Sequence, residues 1–306
     1  MDIEQIQKPL HGSLAWQQAR HRSTDGKCVV GASEISTIMG CNPYETLADI
    51  AIRKLLPAQT TETNDAMMRG NILEPALLQY AQNMLETPLA TPEVMYRNGH
   101  IIATLDGRGV EQTQLIVEVK TNNHWALGSE LPDAWLWQAQ AQMFCTATDE
   151  VHFAVLDKNM RLGMDIVQRN DYLIEQMLIH VEHFCTAIEA EQLPSDIVLT
   201  APQIADLYPT ASGEVELPAT ALNIIAEWGA LKDAMKDLEL KEKLCKDALA
   251  NMLLDNEFGT VSGQRVLSYK SQSTKRFDSK ALIADFPEYG EQYTTANTFR
   301  VLRTMK

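Results

Sequence analysis

Over residues 66–85 the apolar positions Leu73, Leu77, Ala81 and Met84 return every three or four residues, the period of one helical face. Pro75 lies inside this stretch, so the regular helix is expected to begin near Glu74 or to kink there. The same spacing predicts a short helical entry over residues 2–22 and helices over 48–56, 134–145 and 171–191. Residues 29–40 read as a turn and a helix capped by Ser33, and residues 58–65 as a polar loop after Pro57. From residue 93 the period falls to two. EVMYRN (93–98), HIIATLDG (100–107) and QLIVEVKT (114–121) read as strands, divided by Asn98-Gly99 and by a Gly-rich polar loop after Asp106. Residues 150–156 give a further strand. Strands set between helices predict a layered α/β domain.

Four prolines over residues 194–218 mark a boundary, giving expected domains 1–215 and 216–306. Beyond it, residues 221–256 carry apolar side chains from Ile224 to Met252 at alternating steps near four and three, broken only by Glu242. Such a helix needs a partner for its apolar face, either its own domain or another chain. VSGQRVLSYK (261–270) then reads as a hairpin, followed by a basic loop and a short final element.

Composition narrows the class. In 306 residues, 45% hydrophobic and 22% charged content describe a globular chain with a core, which excludes wholesale disorder. Lys and Arg total 26 against 41 Asp and Glu, a net charge of −15 that weakens long-range attraction to nucleic acid but leaves a local basic groove open. Residues 258–306 hold eight Lys/Arg and four Asp/Glu, so the basic excess is local. No apolar run reaches membrane-spanning length and MDIEQIQKPLHG lacks signal-peptide character, so a cytosolic protein is expected. The five cysteines are scattered without a C-x-x-C pair and read as small core hydrophobes in a reducing compartment. His100, His124, His152, His180 and His183 form no zinc motif.

The sharpest chemical signal is Asp106 followed by Glu118 and Lys120. Period-two alternation puts Glu118 and Lys120 on one strand face, with another acid ending the preceding strand, a compact arrangement for a divalent cation. Lys120 would orient an attacking water or neutralise phosphate charge. The commoner fate of an E-x-K strand is a solvated cross-strand ion pair. Glu74, beside the apolar row of its helix, calls for a cation or an Arg partner, or is a helix-start acid favoured by the dipole. Arg20 is either a surface ion pair or a bidentate phosphate ligand. Ser33 is a helix N-cap, a phosphate contact, or both. Gln138 satisfies a buried backbone group or lines a site, and Trp135 and Trp137 read as core.

Asp106 with Glu118-x-Lys120 resembles the D…(D/E)-x-K core of the restriction-endonuclease-like PD-(D/E)XK nucleases, with Leu105 where many members have proline. AWQQAR (15–20), GASEI (31–35), GNILEP (70–75) and WQAQAQ (137–142) are similar, in order, to the blocks of the YqaJ-type viral recombinase and phage lambda exonuclease family. The resemblance covers residues 14–155. It implies a restriction-endonuclease-like core, a central mixed sheet flanked by helices, with a C-terminal long helix and small β appendage. It also implies a double-strand DNA exonuclease that uses Mg²⁺, with Mn²⁺ as substitute, and degrades one strand from a 5′ end. The product would be a 3′ overhang for a single-strand annealing protein. By the same resemblance Asp106, Glu118 and the Val119 carbonyl are metal ligands and Lys120 is the catalytic lysine. Glu74 brings a further carboxylate through a second metal or its waters, and Gln138 completes the wall. Arg20 and Ser33 hold the terminal 5′-phosphate.

A homo-oligomer is expected, although the C-terminal arm departs from the lambda enzyme and would block or remodel its trimeric ring. Basic residues among Tyr269 and Phe277 either contact DNA phosphates or coat a solvated hairpin. The expected location is the cytoplasm of a bacterial host, in a phage or prophage context. The rivals are an endonuclease using the same site and a silent DNA-binding or assembly module, the latter disfavoured by the intact Asp106, Glu118 and Lys120.

Overall fold

The computed structural model describes residues 3–60, 64–195, 197–295 and 299–304. It divides into two compact units, Met1–Leu207 and Tyr208–Lys306, a division eight residues before the expected 215/216 boundary. Residues 61–63 of the polar loop lie outside the described residues.

The first unit runs β1 (Glu4–Gln7), α1 (Leu14–Ala19), β2 (Val30–Gly31), a 3₁₀ turn (Ala32–Glu34), α2 (Ile35–Ile38), α3 (Leu47–Leu55) and α4 (Asp65–Leu85). It continues with β3 (Leu89–Ala90), β4 (Val94–Asn98), β5 (Ile101–Ala103), β6 (Gly107–Gly109) and β7 (Ile116–Thr121). It ends with α5 (Asp133–Thr146), β8 (Glu150–Leu156), β9 (Leu162–Gln168), α6 (Asp171–Glu189) and α7 (Ala201–Leu207). Two mixed sheets result, in the orders β1-β4-β5-β2 and β3-β6-β7-β8-β9. The β7–β8 pair is parallel and is bridged by α5, because parallel neighbours need a crossover.

This crossover positions the site. Alternation along β7 sends Val117 to one face, where it packs with Ala154 of β8 and Ala81 of α4. Ile116 joins the larger core on the other side, with Trp135 and Met143 of α5, Phe153 of β8 and Met177 of α6. The Trp135 and Phe153 rings stack at 5.7 Å. Strand β7 is thus covered on both faces, and any polar side chain on it must find a partner inside the protein.

The α/β class with a central mixed sheet flanked by helices is as expected, and several local readings are corrected. Residues 4–7 form a strand rather than helix, pairing antiparallel with β4 so that Ile6 lies opposite Met95. Ser33 is not a helix N-cap: Glu34 caps the 3₁₀ turn by accepting from the Gly31 N–H at 2.6 Å. Helix α4 is regular from Asp65, capped by Asn64, and carries Pro75 in its interior. The carbonyl of Asn71, four residues back, loses its helical donor there; both residues are exposed, so water can replace it. The 100–107 stretch splits, with β5 in one sheet and β6 in the other, and Asp106 sits between them. Strand β9 was not expected, although Leu162, Met164 and Ile166 alternate with Gly163 and Asp165; its residues are mostly half-buried or exposed.

The second unit holds α8 (Ala221–Leu253), β10 (Phe258–Val261), β11 (Gln264–Ser268), α9 (Ser279–Asp285) and α10 (Pro287–Tyr293). Ser262 and Gly263, at φ 51° and 80°, make the two-residue turn whose twist suits a hairpin. Leu253 is buried at the end of α8, at 3.2 Å from where a Cβ on Gly259 would stand. Arg265 and Lys270 lie over the Phe258 ring at 4.1 and 4.6 Å. Cys245 is exposed on α8, against the expectation of a core thiol, while Cys28, Cys145 and Cys185 of the first unit are buried.

Candidate active site

Glu118 is 4% exposed and every oxygen of its carboxylate is engaged. Its Oε1 accepts from Lys120 Nζ at 2.7 Å and Gln138 Nε2 at 2.6 Å, and its Oε2 from Gln142 Nε2 at 2.6 Å. Lys120 also donates to Gln138 Oε1 at 2.8 Å. The donors arise from two periodicities: Glu118 and Lys120 are two apart on a strand, and Gln138 and Gln142 four apart on a helix. Gln142 Oε1 is buried with no partner. Glu118 and Lys120 are therefore not the solvated ion pair that is the commoner fate of an E-x-K strand but part of a largely buried, charge-assisted network.

Asp106 sits beside it. Its Oδ2 accepts from the Val119 N–H at 2.8 Å and its backbone carbonyl from Thr91 Oγ1 at 2.8 Å. In an extended strand one residue's N–H and C=O point to the same edge, so the Val119 carbonyl faces the Asp106 side. Burial, then the charges of Glu118 and Glu74, push the Asp106 carboxyl well above its ordinary range, against the Val119 hydrogen bond and Lys120. Glu74, from α4, is also raised, by burial and by Glu118, with Lys8 acting the other way. Three acids thus lie near one another with Lys120 and, for Glu74, Lys8 as the opposing charges, and excess negative charge in a partly dry site is what a divalent cation relieves. The donor set of Asp106, Glu118 and the Val119 carbonyl is hard oxygen, which fits Mg²⁺. Among the described residues no three His, Cys, Asp or Glu side chains are grouped closely enough to hold an ion by themselves. Glu74 is the outlying member.

A second cluster surrounds Arg20, the residue that ends α1. Its guanidinium lies over the Trp16 ring at 4.2 Å and donates from Nη2 to Ser33 Oγ at 2.9 Å. A Cβ on Gly31 would stand 2.1 Å from Arg20 Nη2, so any larger residue there would push the guanidinium from this position. Beneath, Glu34 accepts from Arg53 Nη2 at 2.7 Å and Lys54 Nζ at 2.8 Å, and Lys54 also donates to the Arg20 carbonyl at 2.7 Å. Arg53 pairs with Glu45 as well. Burial opposes ionisation of Glu34, but Lys54, Arg20 and Arg53 outweigh it and hold its carboxyl down at about 2. Trp16, Arg20, Ser33, Arg53 and Asn71 line one cavity of about 300 Å³. A small second cavity lies between Arg20, Ser33, Thr104 and Gln138.

Two groups of sequence-derived candidates are thereby brought together: Asp106, Glu118, Val119, Lys120 and Gln138, with Glu74 at their margin, and Arg20 with Ser33. Gln142, Glu34, Arg53 and Lys54 had been given no role. Lys54 carried a signal, since it shares the face of α3 with buried Ile50 and Ala51, where a lone lysine needs a counter-charge.

Residues 15–149 match the family model of the YqaJ-like viral recombinase domain. That stretch, less than half of the chain, is similar to this family. It contains all eight candidates, from Arg20 to Gln138. Among solved structures the chain is similar to the alkaline exonuclease LHK-Exo of Laribacter hongkongensis, at 23% identity over 58% of this chain and 94% of that one, with a TM-score of 0.47. LHK-Exo in complex with dAMP gives 24% identity, the same coverages and a TM-score of 0.47. A phage related exonuclease from Haemophilus somnus 129PT is 17% identical over 54% of this chain and 95% of that one, with a TM-score of 0.43. No curated protein sequence matches the chain. Among the described residues no helix is long and apolar enough to cross a membrane.

Proposed function

We propose that the chain is a Mg²⁺-dependent exonuclease that removes nucleotides from a 5′ end of double-stranded DNA and leaves a 3′ overhang. The observation that carries this reading is the buried Glu118–Lys120–Gln138–Gln142 network beside Asp106, with the Arg20–Ser33 cluster across a small cavity. Asp106, Glu118 and the Val119 carbonyl would hold the ion, with Glu74 near its waters; when bound, it supplies Lewis-acid stabilisation of phosphate charge and lowers the pKa of water.

The protein's own groups do the rest. Gln142 and Gln138 fix the Glu118 carboxylate in one orientation, so little reorganisation is needed during reaction. Lys120, at 21% side-chain exposure, presents an ammonium that orients the attacking water and offsets charge building on the scissile phosphate. Water adds to phosphorus, the bond to O3′ of the terminal nucleotide breaks, and that oxygen leaves with a proton. Arg20, held flat by Trp16, and the Ser33 hydroxyl would receive the terminal 5′-phosphate, which sets both the direction of cutting and the single-nucleotide step. The overhang is a substrate for a single-strand annealing protein, the partner expected in a phage recombination setting inside the bacterial cytoplasm.

Purified protein with Mg²⁺ should digest linear duplex bearing a 5′-phosphate, and Asp106→Asn and Lys120→Gln should each lose at least about 100-fold in rate. Activity surviving in both variants sinks the site assignment. Cleavage of covalently closed circles would turn the reading into an endonuclease, and equal rates on 5′-phosphate and 5′-hydroxyl ends would remove the role given to Arg20 and Ser33.

A further inference from the structure

Helix α8 is 33 residues long, about 50 Å at 1.5 Å per residue. From Ala221 to Met252 its positions spaced alternately three and four apart form an unbroken heptad seam, apolar except at Glu242. The seam is open: Ile224 is 67% exposed, Leu231 56%, Met235 60%, Leu238 63% and Met252 78%. An apolar stripe of this length facing water is a binding surface.

We propose that this surface takes a second copy of the chain, with the two α8 helices paired antiparallel as a two-stranded coiled coil about a two-fold axis. The occupant and direction follow from size and charge along the seam. In the register that overlaps the helices fully, the largest seam residue meets a small one across the axis and, Glu242 aside, the rest of the seam pairs apolar side chains. Trp228 meets Cys245, Ala221 meets Met252, Ile224 meets Leu249 and Met235 meets Leu238. Of the positions flanking the seam, Lys232 falls beside Glu239 of the other copy, twice by symmetry. Glu227 and Lys241 fall beside Ala248 and Ala234, so no like charges meet. Glu242 faces Leu231 and already has an ion pair to Lys246 of its own helix at 2.6 Å.

Parallel pairing would set Glu227 beside Lys232 of the other copy, an attraction equal to that of Lys232 with Glu239, but it carries costs that the antiparallel register avoids. It sets Trp228 on Trp228 and Glu242 on Glu242, and brings Lys241 beside Lys246. Flanking charges choose helix orientation in coiled coils, and here they choose the antiparallel one. In a single copy Lys232 lies over the Trp228 ring at 3.5 Å, on the flank of the seam, placed to reach a carboxylate across it. A seam of this length buries on the order of 800 Å² per copy, the size of a standard specific interface. The pairing is independent of the nuclease reading, since it uses only residues of the second unit.

The test is sedimentation of the full chain at micromolar concentration, with charge-reversed variants at solvent-facing helix positions and circular dichroism to confirm that each is folded. The wild type should sediment as a dimer of the 34.2 kDa chain. Lys232→Glu alone and Glu239→Lys alone should each weaken dimerisation by roughly tenfold, and the double variant should restore it to within about threefold of wild type. If Glu227→Lys rescues Lys232→Glu instead, the helices are parallel and the proposal is wrong. A wild-type monomer, an oligomer of another size, or a dimer indifferent to these substitutions overturns it equally.

Discussion

Replacing Glu34 by glutamine should destabilise the first unit by about 3 kcal/mol, the lower end of what breaking a buried ion pair costs. Glu34 is 9% exposed, and its carboxyl lies at about 2 against an ordinary 4.5. That difference is on the order of 3 kcal/mol in favour of the ionised folded form. Lys54 points the other way. Burial, its largest influence, lowers its pKa despite Glu34. The pair's net worth is therefore smaller than the Glu34 shift suggests, and the variant's penalty comes mainly from the ammonium left buried with an amide and the Arg20 carbonyl. Lys54→Met should cost less, about 1–2 kcal/mol, because Glu34 keeps Arg53 and the Gly31 N–H. The double variant Glu34→Gln/Lys54→Met should return to within about 1 kcal/mol of wild type, since apolar replacement of a whole buried pair is often neutral.

Urea denaturation followed by tryptophan emission would measure this. At an m-value of about 2 kcal/mol/M, Glu34→Gln should lower the midpoint by about 1.5 M. If the double variant loses the sum of the two single effects, the buried pair is not the source. The pH dependence has a fixed sign. A depressed carboxyl stabilises fully above its unfolded value of 4.5, and that stability is lost as pH falls towards about 2. The wild-type midpoint should fall more steeply than that of Glu34→Gln across this window.

Gly31→Ala leaves a backbone φ of −74° that alanine accepts, but its Cβ displaces the Arg20 guanidinium. Stability should stay within about 1 kcal/mol, while preference for 5′-phosphate over 5′-hydroxyl ends falls by roughly tenfold or more; an unchanged preference would dissociate Arg20 from end recognition. Gln142→Leu removes the donor on Glu118 Oε2 and should cost about 2 kcal/mol in urea melts together with most nuclease activity, and a variant normal in both would show that this hydrogen bond is dispensable. The charge swaps on α8 complete the set.

The elements that bear the site were legible where a single period governed them. The alternation in QLIVEVKT put Glu118 and Lys120 on one face, and the helical period set Gln138 and Gln142 on one side of α5. What stayed hidden depended on contacts distant in sequence. Glu34 and Lys54 are twenty residues apart, and neither sequence neighbourhood says that they meet. Residues 4–7 became a strand because β4 offers an edge some ninety residues later, which overrides a weak helical pattern. Ser33 had the chemistry of a cap, but Glu34 could reach the same kind of N–H and left the hydroxyl to Arg20. For Asp106 the strand pattern supplied Glu118 and Lys120 as neighbours, whereas Glu74, from a separate helix, was supplied only by the family resemblance.

The contact between Asp106 and the Val119 N–H bears on how a knockout of this site should be read. Strand β6 pairs with β7 only at Ile116 and Val117, so beyond that point β7 has no strand on that side, and the Asp106 carboxylate takes the place of a missing neighbour. Alanine at position 106 therefore does two things at once: it deletes an acid and leaves a strand edge uncapped, the kind of edge that invites another chain. Loss of activity with alanine alone would mix chemistry with aggregation. Asparagine keeps an oxygen for the Val119 donor, and the difference between the two variants separates what Asp106 does as an acid from what it does as a strand's missing partner.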